Sequence, residues 1–267
     1  MAEPAARIRA YEPKDEKPVR FMVGQAHMEP LAYANNAMYF HPITLAIWIA
    51  VSSVFAQVMG WWPESGHAFF GYLRILPAFF APAVPIMFFI DWRNRPDVEE
   101  RAEKILRRPD FHDIQSYYSR SPASGFWLLE YGEDRLIGLI AVDASPNATS
   151  DEVVTSGLSD TERNKLLSSK GTSPVATVRH FFVEEGFRPA MIENDLLQFA
   201  IARTFEAGDA VQTIRMAESS LRPHIVQCLK KNGFEKGEAI ATIGIASWAL
   251  DWWELQRAKW LEAVAKL

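Results

Sequence analysis

Residues 175–197 read VATVRHFFVEEGFRPAMIENDLL, and the meaning of this stretch decides what the chain is. Its first nine residues, 175–183, are mostly β-branched, aromatic or small, the composition of a buried strand. Glu184-Glu185-Gly186-Phe187-Arg188 then interrupts the apolar run. Pro189 suits the first turn of a helix, where its missing N–H has no partner to lose, so a helix is expected over 189–205.

Working outward, residues 210–216 read as a strand and 222–232 as a helix closed by Gly233. A last strand is expected over 239–247. From Leu250 onward Trp253, Trp260, Leu261, Val264 and Leu267 fall on one stripe of a terminal helix. Toward the N-terminus, 125–131 and 135–142 are two apolar runs separated by Gly132-Glu133-Asp134, a hairpin pattern. Residues 145–173, rich in Ser, Thr, Asn and charge, read as a solvated excursion loop. Charged and mixed segments at 97–107 and 111–119 read as two helices, the second entered near Asp110 or Asp113. Residues 7–11 alternate like a strand, and 17–34 is expected to be helical.

Between these parts lies a different kind of sequence. Residues 42–63, PITLAIWIAVSSVFAQVMGWWP, carry no formal charge, a length close to that needed to cross roughly 30 Å of hydrocarbon. Trp61 and Trp62 stand at its end, where amphipathic rings favour the headgroup level. After a polar bend at 64–67, residues 68–90 are apolar except for Arg74, whose guanidinium is placed to reach the interface. Pro77, Pro82 and Pro85 are tolerated in membrane segments whose neighbours satisfy the backbone. The reading is a two-helix transmembrane hairpin over 41–91, with a re-entrant pair or a hairpin buried in a soluble core as alternatives. Arg7, Arg9, Lys14, Lys17 and Arg20 precede it, Arg93, Arg95, Arg101, Lys104, Arg107 and Arg108 follow it, and the bend has no Lys or Arg except Arg74 beyond it. Both flanks are therefore expected on the cytosolic side. The Asn147-Ala148-Thr149 sequon should then remain unglycosylated when the chain is made in a eukaryotic cell, as an unchanged mass on glycosidase treatment would report.

Composition narrows the function. The 267 residues hold 28 Lys+Arg and 33 Asp+Glu, and 28 − 33 gives a net charge of −5, which argues against a nucleic-acid surface. With 49% hydrophobic residues the chain is neither disordered nor collagen-like. One cysteine, Cys228, excludes an intrachain disulfide and a multi-cysteine zinc site, and suits a reducing compartment. There is no Gly-rich phosphate loop, no Ser-His-Asp spelling, no His-based metal spacing and no His-x-x-x-x-Asp spelling of lipid acyltransferases, so no metal is expected.

The order strand–helix, hairpin, helix–strand–strand, strand–helix–strand–helix–strand resembles the GNAT acyltransferase fold, and more narrowly its membrane-anchored branch that includes N-acetyltransferases of cysteine S-conjugates in the endoplasmic reticulum. The residues carrying the resemblance are Ile8, Arg9, Tyr11, Asp15 and Val19 at the opening, then Asp113, Ile114, Tyr117 and Tyr118 with Gly125-Phe126-Trp127. Val183, Arg188, Ile192 and Leu196 follow at the central turn, and Ser219-Ser220-Leu221 with Gly233-Phe234 at the close. The resemblance implies an α/β (α+β) GNAT-like fold: residues 1–40 its first strand and helix, 41–91 the membrane hairpin, 92–267 the remainder. It implies acetyl-CoA as co-substrate, a pyrophosphate held at a helix N-terminus, and cofactor contacts from Val183, Arg188, Ala190 and Ile192. His180 and Glu184 are then the candidates for the base that takes a proton from the acceptor, a small amine or a lysine.

The same resemblance points to what is missing. Pro189 and Met191 stand at the two glycine positions of the phosphate turn, and each amide lost to a charged group costs about 1.5–3 kcal/mol, or about 10- to 100-fold in affinity. Leu229 stands where a tyrosine acid is usual, a loss of about 10²- to 10⁴-fold in rate. Two functions follow: a membrane-anchored acetyltransferase at the cytosolic face of the endoplasmic reticulum, or a catalytically inactive GNAT-fold membrane protein. The second would act as partner or packaging chaperone for a polytopic transporter.

Overall fold

The computed structural model describes residues 6–62, 73, 75–132, 135–149 and 169–265. The polar bend at 64–67, Arg74, the hairpin residues 133–134 and most of the 145–173 excursion lie outside them.

Strand β1 (Ala6–Ala10) leads through a 3-10 turn into helix α1 (Glu16–Tyr39). Helix α2 (Pro42–Val58) begins with proline behind His41, whose ring Nδ1 accepts the N–H of Ile43. Helix α3 (Leu76–Leu106) has 31 residues, so the separate charged helix expected at 97–107 is its C-terminal part. Pro82, Pro85 and Pro96 lie inside it. Helix α4 (Ile114–Tyr118) is capped by Asp113, which accepts the N–H of Ser116. Strands β2 (Gly125–Tyr131), β3 (Arg135–Asp143) and β4 (Val175–Val183) sit where the sequence places them. Then come helix α5 (Ile192–Glu206), strand β5 (Thr213–Ser219), helix α6 (Pro223–Lys231), strands β6 (Glu235–Ile243) and β7 (Trp248–Gln256), and helix α7 (Arg257–Val264).

The terminal helix expected from Leu250 therefore begins only at Arg257, and its first part is the end of strand β7. Asp251, Trp253 and Leu255 are buried while their neighbours are more exposed, a period of two that a 3.6-residue stripe mimics over so short a run. Trp253 belongs to the core, and only Trp260, packed on Phe205, extends it from α7.

The seven strands form one sheet in the order β1-β2-β3-β4-β5-β7-β6. All neighbours are antiparallel except β4 and β5, whose parallel pairing requires the crossover that α5 supplies. Successive residues serve opposite faces: Leu129 and Phe181 pack with α5 and α6, whereas Leu128 and Phe182 pack with α1 and α4. This is the GNAT-like α/β order.

The helical arm is one antiparallel structure along its length. Gly24 faces Leu106, Asn35 donates to Asp91 at 2.7 Å, and the Trp48 indole N–H donates to the Phe79 carbonyl at 2.7 Å. The α1 path, bent by 57° before α2, thus lines α3 from the sheet outward. Beyond Asn35 the arm turns its apolar side chains outward: Val54, Phe80, Val84 and Phe88 are each at least 64% exposed. The α3 helix is by itself long and apolar enough to cross a membrane; α2 reaches that length only together with α1 across the bend. Burial in a water-soluble core, one of the alternatives open from sequence, does not describe these helices.

Where the arm meets the sheet, polar groups fix the joint. Asn94, fully buried, donates to Asn35 at 3.0 Å and accepts the Ile245 N–H at 2.9 Å, and Asp97 accepts the Gly244 N–H at 3.1 Å. Gly244 has φ +67°, and a Cβ there would lie 2.7 Å from the Asn94 side-chain oxygen. Gly244→Ala is therefore expected to lower stability by about 2 kcal/mol, through the left-handed backbone and the lost joint, measured as a lower thermal midpoint of the detergent-solubilised protein.

Candidate functional site

Strands β4 and β5 pair only over Val175–Val178 and Thr213–Met216, then separate. One extra residue in β4, Arg179, bulges opposite the Ala141–Val142 step of β3, and such a bulge bends a strand. The separation leaves carbonyls of β4 without a strand partner, and buried carbonyls need one. Arg222 donates to the Phe181 carbonyl at 3.3 Å, and Arg188 donates through Nε to the Val183 carbonyl at 3.0 Å. Each guanidinium is held by a carboxylate. Arg222 pairs with buried Glu218, its Nε at 3.1 Å and its Nη2 closer still, and Arg188 pairs with Glu29 of α1 at 2.6 Å. Hydrogen bonds involving charged groups are worth about 1.5–3 kcal/mol each, so a ligand seeking these carbonyls competes with an established structure.

The turn from β4 into α5 departs from expectation. Residues 185–190 form a 3-10 turn that contains Pro189, and Met191 then adopts φ 55°, ψ 28° before the helix starts at Ile192. Of the two residues expected at the glycine positions, Pro189 thus lies in the 3-10 turn and Met191 is the helix N-cap, with Glu193 in the first turn. Met191 holds the left-handed conformation that glycine adopts without penalty. Glu193 is 6% exposed, and its Oε2 has no hydrogen-bond partner. With Arg188, Asn194, His224, Cys228 and Lys231 it lines an open groove of about 500 Å3 between α5 and α6. A helix N-terminus favours an anion, and here the chain's own carboxylate sits in the first turn.

The expected cofactor residues divide accordingly. Val183 is core with its carbonyl taken, Ile192 packs against the same core, Arg188 is engaged by Glu29, and Ala190 is exposed at the end of the 3-10 turn. Leu229, at the position usual for tyrosine, is fully buried in the core.

The two candidate bases are not brought together. Glu184 lies at the surface end of β4, where it pairs with Arg135 at 2.8 Å. His180 is buried under α1, its Nε2 2.6 Å from Asp110, which also accepts the Tyr118 hydroxyl at 2.9 Å. Burial holds the His180 ring neutral, so Nε2–H donates to the carboxylate. Burial also works against the charge on Asp110, but His180, Arg179 and Tyr118 outweigh it and hold that carboxyl down at about 2. Beside this pair, Asp143 accepts from Arg179 at 3.0 Å and from Tyr117 at 2.8 Å. The same cluster clamps the ends of the 145–173 excursion: Arg120 donates to Ser145 at 2.9 Å, and its carbonyl accepts the Gly171 N–H at 3.3 Å. Those ends are therefore structural rather than freely solvated.

Sequence reasoning missed Asp110, Glu193 and the Glu218–Arg222 pair as members of the site. A signal existed for the last, a carboxylate and an arginine four residues apart where a strand gives way to a helix. It existed for Asp110 in that a histidine inside an apolar strand needs a buried partner.

No family model matches the sequence, and no curated protein matches it. Among solved structures, similarity is found to a GNAT-family acetyltransferase from Staphylococcus aureus Mu50, with TM-score 0.45, 11% identity, and coverage of 94% of this chain and 99% of that one. Spermidine N-acetyltransferase from Vibrio cholerae, in complex with CoA and spermine, gives TM-score 0.41 and 13% identity over 96% of this chain and 98% of that one. Ribosomal-protein-alanine N-acetyltransferase from Brucella melitensis gives TM-score 0.42 and 13% identity over 94% and 99%.

The Asp110–His180 pair makes a pH prediction. The Asp110 carboxyl lies below its ordinary value of 3.8, so its stabilisation is complete above that pH and is lost as pH falls toward about 2. Asp110→Asn is expected to cost about 2 kcal/mol near neutrality. The difference from the parent should shrink across that acid interval, as denaturant titrations at several pH values would record.

Proposed function

We propose that this chain is a membrane-anchored GNAT-fold protein that has given up acyl transfer and works by binding, its client class being a polytopic membrane protein such as a transporter. The observation that carries this reading is the refilled cofactor cleft. Arg222 and Arg188 occupy the β4 carbonyls, and the first turn of α5, where a pyrophosphate would need to sit, carries the Glu193 carboxylate, a like charge. The apolar sheath of α2 and α3 supports the anchor. That α1 and the C-terminal part of α3 pack together supports a hairpin whose flanks share one side, the cytosolic side of the endoplasmic reticulum by the distribution of Lys and Arg.

A second reading is kept by one observation: the strands do splay, and the groove beside α5 is open. In it the chain moves an acetyl group from acetyl-CoA to a small amine or a lysine near the membrane, with Val183, Arg188, Ala190 and Ile192 toward the cofactor. His180 or Glu184 would then need to be released from its present partner to act as base.

Calorimetry of the detergent-solubilised protein separates the two. The binding reading expects no heat with acetyl-CoA at millimolar concentration. It also expects that Met191→Gly with Glu193→Gly, which removes side-chain bulk and the like charge, brings a measurable affinity at least about 10-fold better. Micromolar binding by the unaltered chain would overturn the proposal in favour of the enzyme.

A further inference from the structure

On the far side of the Arg222–Glu218 pair, a second cavity of about 340 Å3 lies between α1, α3 and the sheet. Its charge is one-sided. Arg101 and Lys104 come from one face of α3 at helical spacing, Arg108 follows just past the end of that helix, and Arg179 and Arg222, paired with Asp143 and Glu218, come from the sheet side. Among the described residues, Glu218 is the one acidic residue that lines it, and it is already paired with Arg222. Its apolar lining comes from Ile240, Ile243, Leu250 and Trp252 with Met216 and Phe181. Such a mixture, at a volume usual for small-molecule sites, fits a ligand with a charged end and an apolar body.

The geometry points to a phosphate-bearing, partly apolar ligand in this cavity, its anionic end among the arginines and its apolar part against Trp252. Arginine forks match phosphate oxygens in shape and charge. Arg101 donates to the Thr242 carbonyl at 2.8 Å and Lys104 pairs with Glu100 at the rim, contacts that an arriving anion can share or replace. Burial depresses the protonation of His27 in the wall, and the charges of Arg222 and Arg108 add to it, as expected beside a concentration of positive charge. An acceptor that is itself a cation is disfavoured here. The inference stands independently of acetyl-CoA, since Arg101 and Lys104 do not line the groove at α5.

The phosphate has two sources, a soluble phosphomonoester or the headgroup of a bilayer phospholipid, because α3 runs unbroken from its apolar part to Arg101. The test uses the full chain in neutral detergent, titrated with hexyl phosphate, inorganic phosphate and spermidine while thermal unfolding is followed. Hexyl phosphate is expected to raise the midpoint at lower concentration than inorganic phosphate, and spermidine to leave it unchanged. Arg101→Gln with Lys104→Gln should weaken hexyl phosphate at least tenfold. The single Lys104→Gln, at an exposed rim position, should weaken it about threefold and keeps the test readable if the double variant does not fold. Absence of stabilisation by either phosphate, equal stabilisation of parent and variants, or preference for spermidine overturns the inference. Reconstitution in nanodiscs with and without phosphatidic acid assigns the source: competition with hexyl phosphate marks the lipid, and unchanged affinity marks the soluble ester.

Discussion

A strand that parts from its neighbour must find other partners for its carbonyls, and the architecture of this protein follows from that need. Strand β4 lies in the middle of the sheet, buried on both faces, and loses β5 after four residue pairs. In an acyl-CoA enzyme of this fold the gap would belong to a ligand. Here two arginines reach in, and each brings a carboxylate to offset its own burial. One carboxylate is local, Glu218; the other, Glu29, comes from α1 and ties the gap to the helical arm. Removing either guanidinium would leave a β4 carbonyl without that donor and deprive a carboxylate of its cation at the same time.

The site divides into two chambers on either side of these plugs. The groove at α5 is of mixed charge and carries a carboxylate at the helix mouth, whereas the chamber under α3 is basic and half apolar. The Arg222–Glu218 pair lines the basic chamber, and Arg188 lines the groove at α5. The buried cluster of Asp110, His180, Asp143 and Arg179 ties β4 to its neighbours at the bulge, while Asp110 Oδ1 and His180 Nδ1 keep no hydrogen-bond partner among the described residues.

Much of this was legible from the residues. Strands 125–131 and 175–183 were read to the residue, since β-branched and aromatic runs bounded by turn residues leave little choice. The helix boundaries at α5 and the C-terminal strand were not. Pro189 fits a helix start and a 3-10 turn equally, and only the left-handed Met191 decides between them. Trp253 fits a helical stripe with Trp260 and equally a strand alternation with Asp251 and Leu255. The continuity of α3 was hidden because composition changes abruptly at Asp91 while the backbone does not. Long-range partners such as Glu29 and Arg188, 159 residues apart, have no local signature.

That continuity has a mechanical consequence. Helix α2, at 17 residues, is about 26 Å long, less than the roughly 30 Å of an average hydrocarbon layer and near the roughly 27 Å of the thinner endoplasmic-reticulum bilayer. For the membrane anchor proposed above, a thicker bilayer leaves a mismatch that is relieved by deforming the lipid or changing the tilt of the arm. Because α3 passes as one rod to the loop that Asn94 and Asp97 hold, a change of tilt acts as a lever on the far edge of the sheet. On the proposed membrane anchoring, bilayer thickness becomes a variable that acts on the Gly244–Ile245 corner of the sheet.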